Sequence, residues 1–346
     1  MGGYSLSGIS GNKTSLGFGG YDFWVLRLDQ DGNVLWDRSF GGDGPDELSS
    51  LQETSDGGFI LGGSSRSGIS GNKSSPAVSG WDYWLVRLDQ DGNKLWDKAF
   101  DHVGGDDHCN SLQQTSDGGF ILGGSSAAPP DPLGSTFAPD FWVLRLDSNG
   151  EKLWDRPFGG SGDDTLYSLS QTRDGGFILG GTSDSGMDGS KTTSNLGGHD
   201  FWVLRLDPEG KELWEQTYGG IREEEIRSIR QTSDGGFILG GWSTSFLDAP
   251  SNCFKNYQAD FWVIKLGPEP LTLRSPRQLG TNLQQAGFQL LLTGVSNSYV
   301  IDFSTNLIDW VPLQTNTLRT NGGLLQIRDE SAANARQRFY RSRGWP

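Results

Sequence analysis

The chain has 346 residues and a formal net charge of −15, with 34% hydrophobic residues, 52 glycines, 13 tryptophans and 18 phenylalanines. That charge repels phosphate backbones and anionic lipid, which argues against nucleic acid and membrane insertion, and no run reaches the roughly 18 apolar residues of a membrane span. The aromatic load argues against disorder, and with so many glycines it suits short strands joined by tight turns.

The stretch Asp-Phe-Trp-Val-Leu-Arg-Leu-Asp-Gln-Asp-Gly-Asn-Val-Leu-Trp, from Asp22 to Trp36, returns with small changes at Asp82, Asp140, Asp200 and Asp260, at spacings of 60, 58, 60 and 60. A fixed period of this size marks a repeat architecture in which each copy buries its faces against its neighbours. Gly2-Gly3 and Ser7 to Lys13 match Gly62-Gly63 and Ser67 to Lys73, so the chain opens inside a repeat. The expectation is an N-terminally truncated chain whose upstream part could have carried an export signal, since no basic segment followed by an apolar one opens this sequence.

In the copy beginning at Leu48, Leu48 to Thr54 is predicted as strand A, and Ser55-Asp56-Gly57-Gly58 as a hairpin turn. Phe59 to Gly63 is strand B, an apolar run suited to burial on both faces. A Gly/Ser/Asn-rich loop follows, then strand C (Tyr83 to Leu88), the turn Asp89 to Asn93, and strand D (Lys94 to Phe100). Four antiparallel strands per period predict a propeller blade. The hairpin motif recurs at Asp56, Asp117, Asp174 and Asp234. The opening segment supplies only strands B, C and D, and the closing one only A, B and C. The prediction is an all-β chain with an about five-bladed β-propeller over residues 1–266, its end blades incomplete, and closure by an added strand such as Leu271 to Ser275 or by residues missing from this sequence.

This pattern resembles exported bacterial β-propeller repeat proteins whose units read Thr-x-Asp-Gly-Gly-Phe-Ile-x-x-Gly, then Asp-Phe-Trp-Val-x-Arg-Leu-Asp-x-x-Gly-x-x-x-Trp. Its Leu-Asp-x-x-Gly-x-x-Leu-Trp portion is also similar to the tryptophan-docking unit of quinoprotein-type propellers. The resemblance implies the fold and an extracellular or cell-surface location, and no single activity.

Gly267 to Pro270 is a proline-marked linker, and residues 271–346 differ in charge, carrying eight arginines, no lysine and four acidic residues. Five strands, Phe288 to Val295, Ser298 to Ser304, Trp310 to Thr317, Leu324 to Arg328 and Gln337 to Arg341, predict a small β-sandwich. The run Tyr299 to Leu307 with Trp310 and Arg338-Phe339-Tyr340-Arg341 resembles a C-terminal module of exported Verrucomicrobia proteins.

A four-stranded meander sends the B to C and D to A connections to one end, where the long loops gather and function is expected. Each D to A connection carries an acid pair: Asp46-Glu47, Asp106-Asp107, Asp163-Asp164 and Glu224-Glu225. Such a set of hard oxygen ligands suits Ca2+; the competing reading is that each acid orders its own loop through backbone hydrogen bonds. The C to D turns at Asp29 and Asp89 start like a calcium loop but lack its later ligands, so they read as hairpin turns. Gly8 to Thr14 fails as a phosphate loop, having no second glycine at Asn12 and no helix to open.

Tryptophans 24, 84, 142, 202 and 262, with 36, 96, 154 and 214, are expected to pack between blades. Aromatics outside that register, Trp81, Phe137, Trp242, Phe246, Phe254 and Tyr257, are the ligand-binding candidates, because flat rings suit sugars and peptides. Arg27, Arg87, Arg145, Arg205 and Lys265 are expected to pair with repeated acids such as Asp56 between blades. His102, Asp106 and His108 fall close enough in sequence for a single-blade metal site, and ordinary loop roles are the alternative. Cys109 and Cys253 sit in non-equivalent places and are expected to be free thiols, with one bridge as the alternative. No nucleophile elbow or zinc-protease helix is present.

The sequence thus predicts a non-catalytic exported binding or surface-interaction protein with a carbohydrate or protein ligand on the long-loop face and Ca2+ as a candidate ion. The alternatives are a polysaccharide hydrolase or hydrolase-attached module using a carboxylate pair, and a structural spacer.

Overall fold

The computed structural model describes residues 1–245 except 79, 103 and 128–137, then 259–267, 272–274, 288–294, 297–304, 310–318, 323–329 and 339–344. Among these residues there is no helix, so none is long and apolar enough to cross a membrane. By contacts the chain divides into two compact units, one of residues 1–171, 177–229 and 239–263, the other of residues 172–176, 230–238 and 264–346.

The first repeat supplies β1 (Gly2–Ser5), β2 (Asp22–Leu28) and β3 (Val34–Phe40). The second supplies β4 (Asp46–Glu53), β5 (Phe59–Ser65), β6 (Asp82–Leu88) and β7 (Lys94–Phe100). The third and fourth repeat that set as β8 (Asp106–Gln114), β9 (Phe120–Ala127), β10 (Asp140–Leu146) and β11 (Lys152–Phe158), then β12 (Asp164–Gln171), β13 (Phe177–Ser183), β14 (Asp200–Leu206) and β15 (Glu212–Tyr218). The fifth gives β16 (Glu224–Gln231), β17 (Phe237–Ser243) and β18 (Asp260–Leu266). Each repeat is one sheet with its strands in sequence order, four-stranded in the middle three and three-stranded at either end.

The A to B turns place Gly57, Gly118, Gly175 and Gly235 at φ of 83° to 86°, a conformation costly for any residue with a Cβ, which is why the motif keeps glycine there. Strands β4, β8 and β12 each carry a one-residue bulge, at the Leu48/Ser50, Cys109/Ser111 and Leu166/Ser168 steps. The bulge explains their apolar spacing: Leu166 and Leu169, three residues apart, face the same core because the extra residue flips the strand's phase.

Cores lie between successive sheets. Phe23, Val25 and Phe40 pack with Leu61, Trp84, Val86 and Leu88. Tyr83 and Leu85, on the opposite face of β6, pack with Leu122, Trp142 and Leu144. Strands β6 and β10 therefore each feed two cores, and their runs of apolar residues are the pattern of a strand covered on both faces, whereas β18 leaves Phe261 97% and Val263 62% exposed. The tryptophan packing expected from the sequence is present, as Phe23–Trp84, Tyr83–Trp142, Phe141–Trp202 and Phe201–Trp262 ring pairs at 4.7, 4.4, 4.7 and 4.8 Å. The D-strand tryptophans meet the next repeat's B strand, Trp36 on Phe59, Trp96 on Phe120 and Trp154 on Phe177.

Two expectations are corrected. The strand expected to close the repeats is β19 (Thr272–Arg274), and it pairs instead with β20 (Phe288–Gly294), because its Leu273 lies opposite Leu292 in a sheet completed by β23 (Gly323–Asp329). The other C-terminal sheet orders β22 (Val311–Leu318), β21 (Asn297–Ser304) and β24 (Phe339–Gly344), antiparallel throughout. Three of the repeated C-strand cations pair with an acid of their own repeat rather than between repeats: Arg87 grips Asp56 with two bonds of 2.6 Å, Arg145 grips Asp117 at 2.7 and 2.6 Å, and Lys265 holds Asp234 at 3.0 and 2.8 Å, whereas Arg27 reaches across to the Gln90 carbonyl of the next repeat. The reason is register, since each cation sits one residue from the end of its C strand, beside its own A to B turn.

Candidate functional site: the carboxylate junctions beneath the long loops

Among the described residues, the long B to C loops of the first, second and fourth repeats are each held by a carboxylate on strand D. Asp37 accepts from the Thr14 and Ser15 amides and both their hydroxyls, and Trp24 Nε1 adds a bond of 3.1 Å. Asp97 does the same for Ser74, Ser75 and Trp84, and Glu215 accepts from the Thr192 amide and hydroxyl, the Thr193 amide and Trp202 Nε1, while the Thr193 hydroxyl turns to Thr217. Burial alone would raise the pKa of Asp37 and Asp97, but these donors, preceded at Asp97 by the Lys94 ammonium at 2.5 Å, outweigh it and hold both well below the ordinary carboxylate value. A lysine completes each of these three loops. Lys13, Lys73 and Lys191, 2–4% exposed, turn their ammonium groups inward onto loop carbonyls such as Ser15 O at 2.7 Å and Ser75 O at 2.8 Å.

The D to A connections meet these loops. Ser67 Oγ reaches Asp46 Oδ2 at 2.8 Å and receives the Gly44 amide at 3.0 Å, and Asn72 brackets Gly41. Ser185 and Ser190 repeat this around Asp164 and Gly159. Both sets of long connections thus share one end of their sheets, as the meander requires.

The acid pairs read from the sequence split in every case. Asp46, Asp107, Asp164 and Glu224 are buried at 0% exposure, while Glu47, Asp106, Asp163 and Glu225 turn outward or sideways. The buried member comes first in β4 and β16 and second at Asp106-Asp107 and Asp163-Asp164, so the pairs are out of phase as written. Successive strand residues point to opposite faces, which is why a pair cannot present both carboxylates together. The partner of each buried acid is instead the first residue of the preceding C strand. Asp22 faces Asp46, Asp140 faces Asp164 and Asp200 faces Glu224, each couple closing over a glycine. A Cβ on Gly41, Gly159 or Gly219 would collide with Oδ1 of Asp22, Asp140 or Asp200 and sit 2.7–2.8 Å from the second acid. Burial, with the neighbouring acid adding, pushes Asp140 and Asp200 up to about 6.

The aromatic candidates are placed unevenly. Trp81 is half-buried, its amide bonded to Asp106 Oδ1 at 3.0 Å, its ring 5.4 Å from His108 and under the Arg66 guanidinium at 5.6 Å. Arg66 lies 3.8 Å from Asp106, so these four side chains form one partly exposed cluster. Trp242 is half-buried in β17. Phe137, Phe246, Phe254, Tyr257 and Cys253 lie outside the described residues. Cys109 is a free, buried thiol pushed up to about 12 by burial.

His102, Asp106 and His108 are not brought together. His102 stacks on Trp142 and lies 3.5 Å from Asp155, whereas Asp106 and His108 belong to the Trp81 cluster. The structure brings together a set that sequence reasoning missed, Asp82, Asp101 and Asp107, with one oxygen from each within 4.8 Å of the others. Its signal was present in the alignment of repeats: after Phe40, Phe158 and Tyr218 comes glycine, and after Phe100 comes Asp101.

No family model matches the chain. The regulatory protein FlaEY of Caulobacter vibrioides is 26% identical over 162 residues, covering 43% of this chain and 17% of that protein. The chain thus spans less than a fifth of the length of the curated relative it matches. Among solved structures it is similar to a glucose dehydrogenase, at TM-score 0.35 and 15% identity over 72% of each chain. It is also similar to Sqt1 from Chaetomium thermophilum, at TM-score 0.32 and 14% identity over 95% of this chain and 83% of that one.

Proposed function

We propose that the repeats form an about five-bladed β-propeller followed by a small β-sandwich, and that the chain is a non-catalytic, exported binding or surface-interaction protein. Its ligand, carbohydrate or protein, docks on the long-loop face. One observation carries this reading: the loops are pinned from below by buried carboxylates and present equivalent apolar tips outward. Ile9, Ile69 and Met187 occupy the same loop position and are 63%, 69% and 68% exposed. An ordered loop that repeatedly shows an apolar tip to water is the pattern of a contact surface. The Trp81 cluster adds an aromatic plane with a cation and a carboxylate beside it, the combination that grips a sugar ring or a peptide side chain.

The hydrolase alternative needs an accessible acid and base. The single junction that departs from its sisters is Asp82, Asp101 and Asp107, and two of its three acids have 0% exposure. A sugar cannot reach them, so chemistry is the weaker reading of that departure. Glycan-array binding of the full chain, compared with Trp81→Ala, tests the proposal. Binding that falls at least about tenfold in the variant supports it, a loss of about 1.4 kcal/mol. Equal signals from both proteins would remove Trp81 from the binding face, and silence from both would favour a protein ligand or the spacer reading.

A further inference from the structure

The connection between the second and third repeats breaks the pattern in three ways. Asp101 stands where the sister junctions have Gly41, Gly159 and Gly219. The segment from Asp101 to Asp107 is one residue longer than that from Gly41 to Asp46 or from Gly159 to Asp164. The third repeat's B to C loop, between Ala127 and Asp140, carries no lysine or arginine, whereas the equivalent loops carry Lys13, Lys73 and Lys191. Those ammonium groups are the nearby positive charges of their junctions, Lys73 acting on Asp46, Asp97 and Asp82 and Lys191 on Asp164, Glu215 and Asp200. This junction has gained a carboxylate; Lys73 still acts on Asp82, but the loop that would bring a lysine to Asp107 carries none.

The geometry points to a single site for a Ca2+-class divalent cation formed by Asp82, Asp101 and Asp107. Asp107 is fully buried; its Oδ2 accepts the His102 amide at 2.9 Å, and its Oδ1, shielded from water, has no hydrogen-bond partner. That oxygen is the one left for the cluster. Asp82 Oδ2 accepts the Val78 amide at 2.8 Å, and the Asp101 carboxylate accepts the Gly104 amide at 3.1 Å, so both side chains are oriented before any ion arrives. One oxygen of each acid lies within 4.8 Å of the others. That spacing is within reach of one hard cation, and Ca2+ accepts an irregular oxygen set whereas Mg2+ demands near-ideal octahedral geometry. The ligand set is all oxygen, because the His102 ring is turned to Asp155 and Trp142 and His108 to Trp81, which disfavours zinc-type metals. The ion would join the start of β6, the end of β7 and the start of β8, doing for this junction what the buried lysine does for the others.

Calorimetric titration of the chelator-stripped full chain with CaCl2 tests this, with melting followed in Ca2+ and in chelator. The expected result is one site per chain, a melting temperature raised by Ca2+, and weaker binding of Mg2+. D101N should weaken Ca2+ by at least about tenfold, since losing a charged ligand costs no less than losing a group that merely orients one. Asp101→Gly, which restores the sister residue, should fold without Ca2+ and lose its response to the ion, while Asp22→Asn at a sister junction should leave Ca2+ affinity unchanged. No heat and no shift in melting temperature, as expected if protons neutralise the cluster, would overturn the site. So would several equivalent sites, or wild-type affinity in both Asp101 variants.

Discussion

At the scale of single residues, the junctions show why glycine ends the D strand in three of the four complete connections. The space where a Cβ would stand is filled by two carboxylates, so the residue is dictated by packing rather than by a turn. Gly159→Ala is therefore expected to destabilise the chain by about 2 kcal/mol, the usual cost of forcing a methyl group into a filled site, read as a lower urea midpoint. Gly3, which has nothing within 4 Å of its would-be Cβ, is the control that should tolerate alanine better. A Gly159→Ala protein as stable as the parent would show that the two acids separate freely and do not form a packed couple. Asp101 is the exception that the lengthened connection makes room for, and it converts a tight pair into a three-acid cluster.

At the scale of the element, the unit of construction is a loop with its own internal counterion. A buried lysine faces buried acids, and a D-strand carboxylate collects loop amides, hydroxyls and an indole N–H. Removing the cation leaves acids that burial already disfavours, so Lys73→Met is expected to cost about 3 kcal/mol, the scale of breaking a buried pair. The check is equilibrium unfolding alongside Lys211→Met, an exposed lysine whose loss should cost far less. Much of this element was legible in advance. Aspartate-glycine turns and a 60-residue period located β4 to β7 to within two residues at each end. Phase inside the strands was not legible: the bulges at Ser49, Asn110 and Tyr167 and the extra residue before Asp107 each shift which neighbour faces inward. The acid pairs were therefore grouped by sequence adjacency when their real partners lie across the junction, at Asp22, Asp140 and Asp200. The loop lysines repeat as plainly as the tryptophans, yet lysine is so usual on surfaces that repetition alone did not mark them as buried.

At the scale of the whole molecule, two populations of acids set the response to pH. Asp107, Asp140 and Asp200 have folded values raised to about 6, above the unfolded value near 4, mainly by burial. Between those values the folded state holds the extra protons, so their stabilisation is complete below about pH 4 and is lost as pH rises through 6. Asp37 and Asp97, and Asp56 at about 2, are lowered, so their contribution is present above about pH 4 and is lost as pH falls through their folded values. The melting temperature in chelator is therefore expected to rise from pH 7.5 towards about pH 5 and to fall again below about pH 4. Asp140→Asn and Asp200→Asn should each flatten the upper limb, and a monotonic rise towards neutral pH would show that these acids are ionised in the folded chain. On the proposed reading the ligand meets the loop surface, with the Trp81 cluster and the apolar tips Ile9, Ile69 and Met187. The most direct measurement presents a panel of polysaccharides and glycans to the full chain and records retained ligand and newly formed reducing ends in the same wells. Retention without new reducing ends is the predicted result; release of reducing ends that survives Trp81→Ala but is lost in D101N would contradict it and make the three-acid junction an active site.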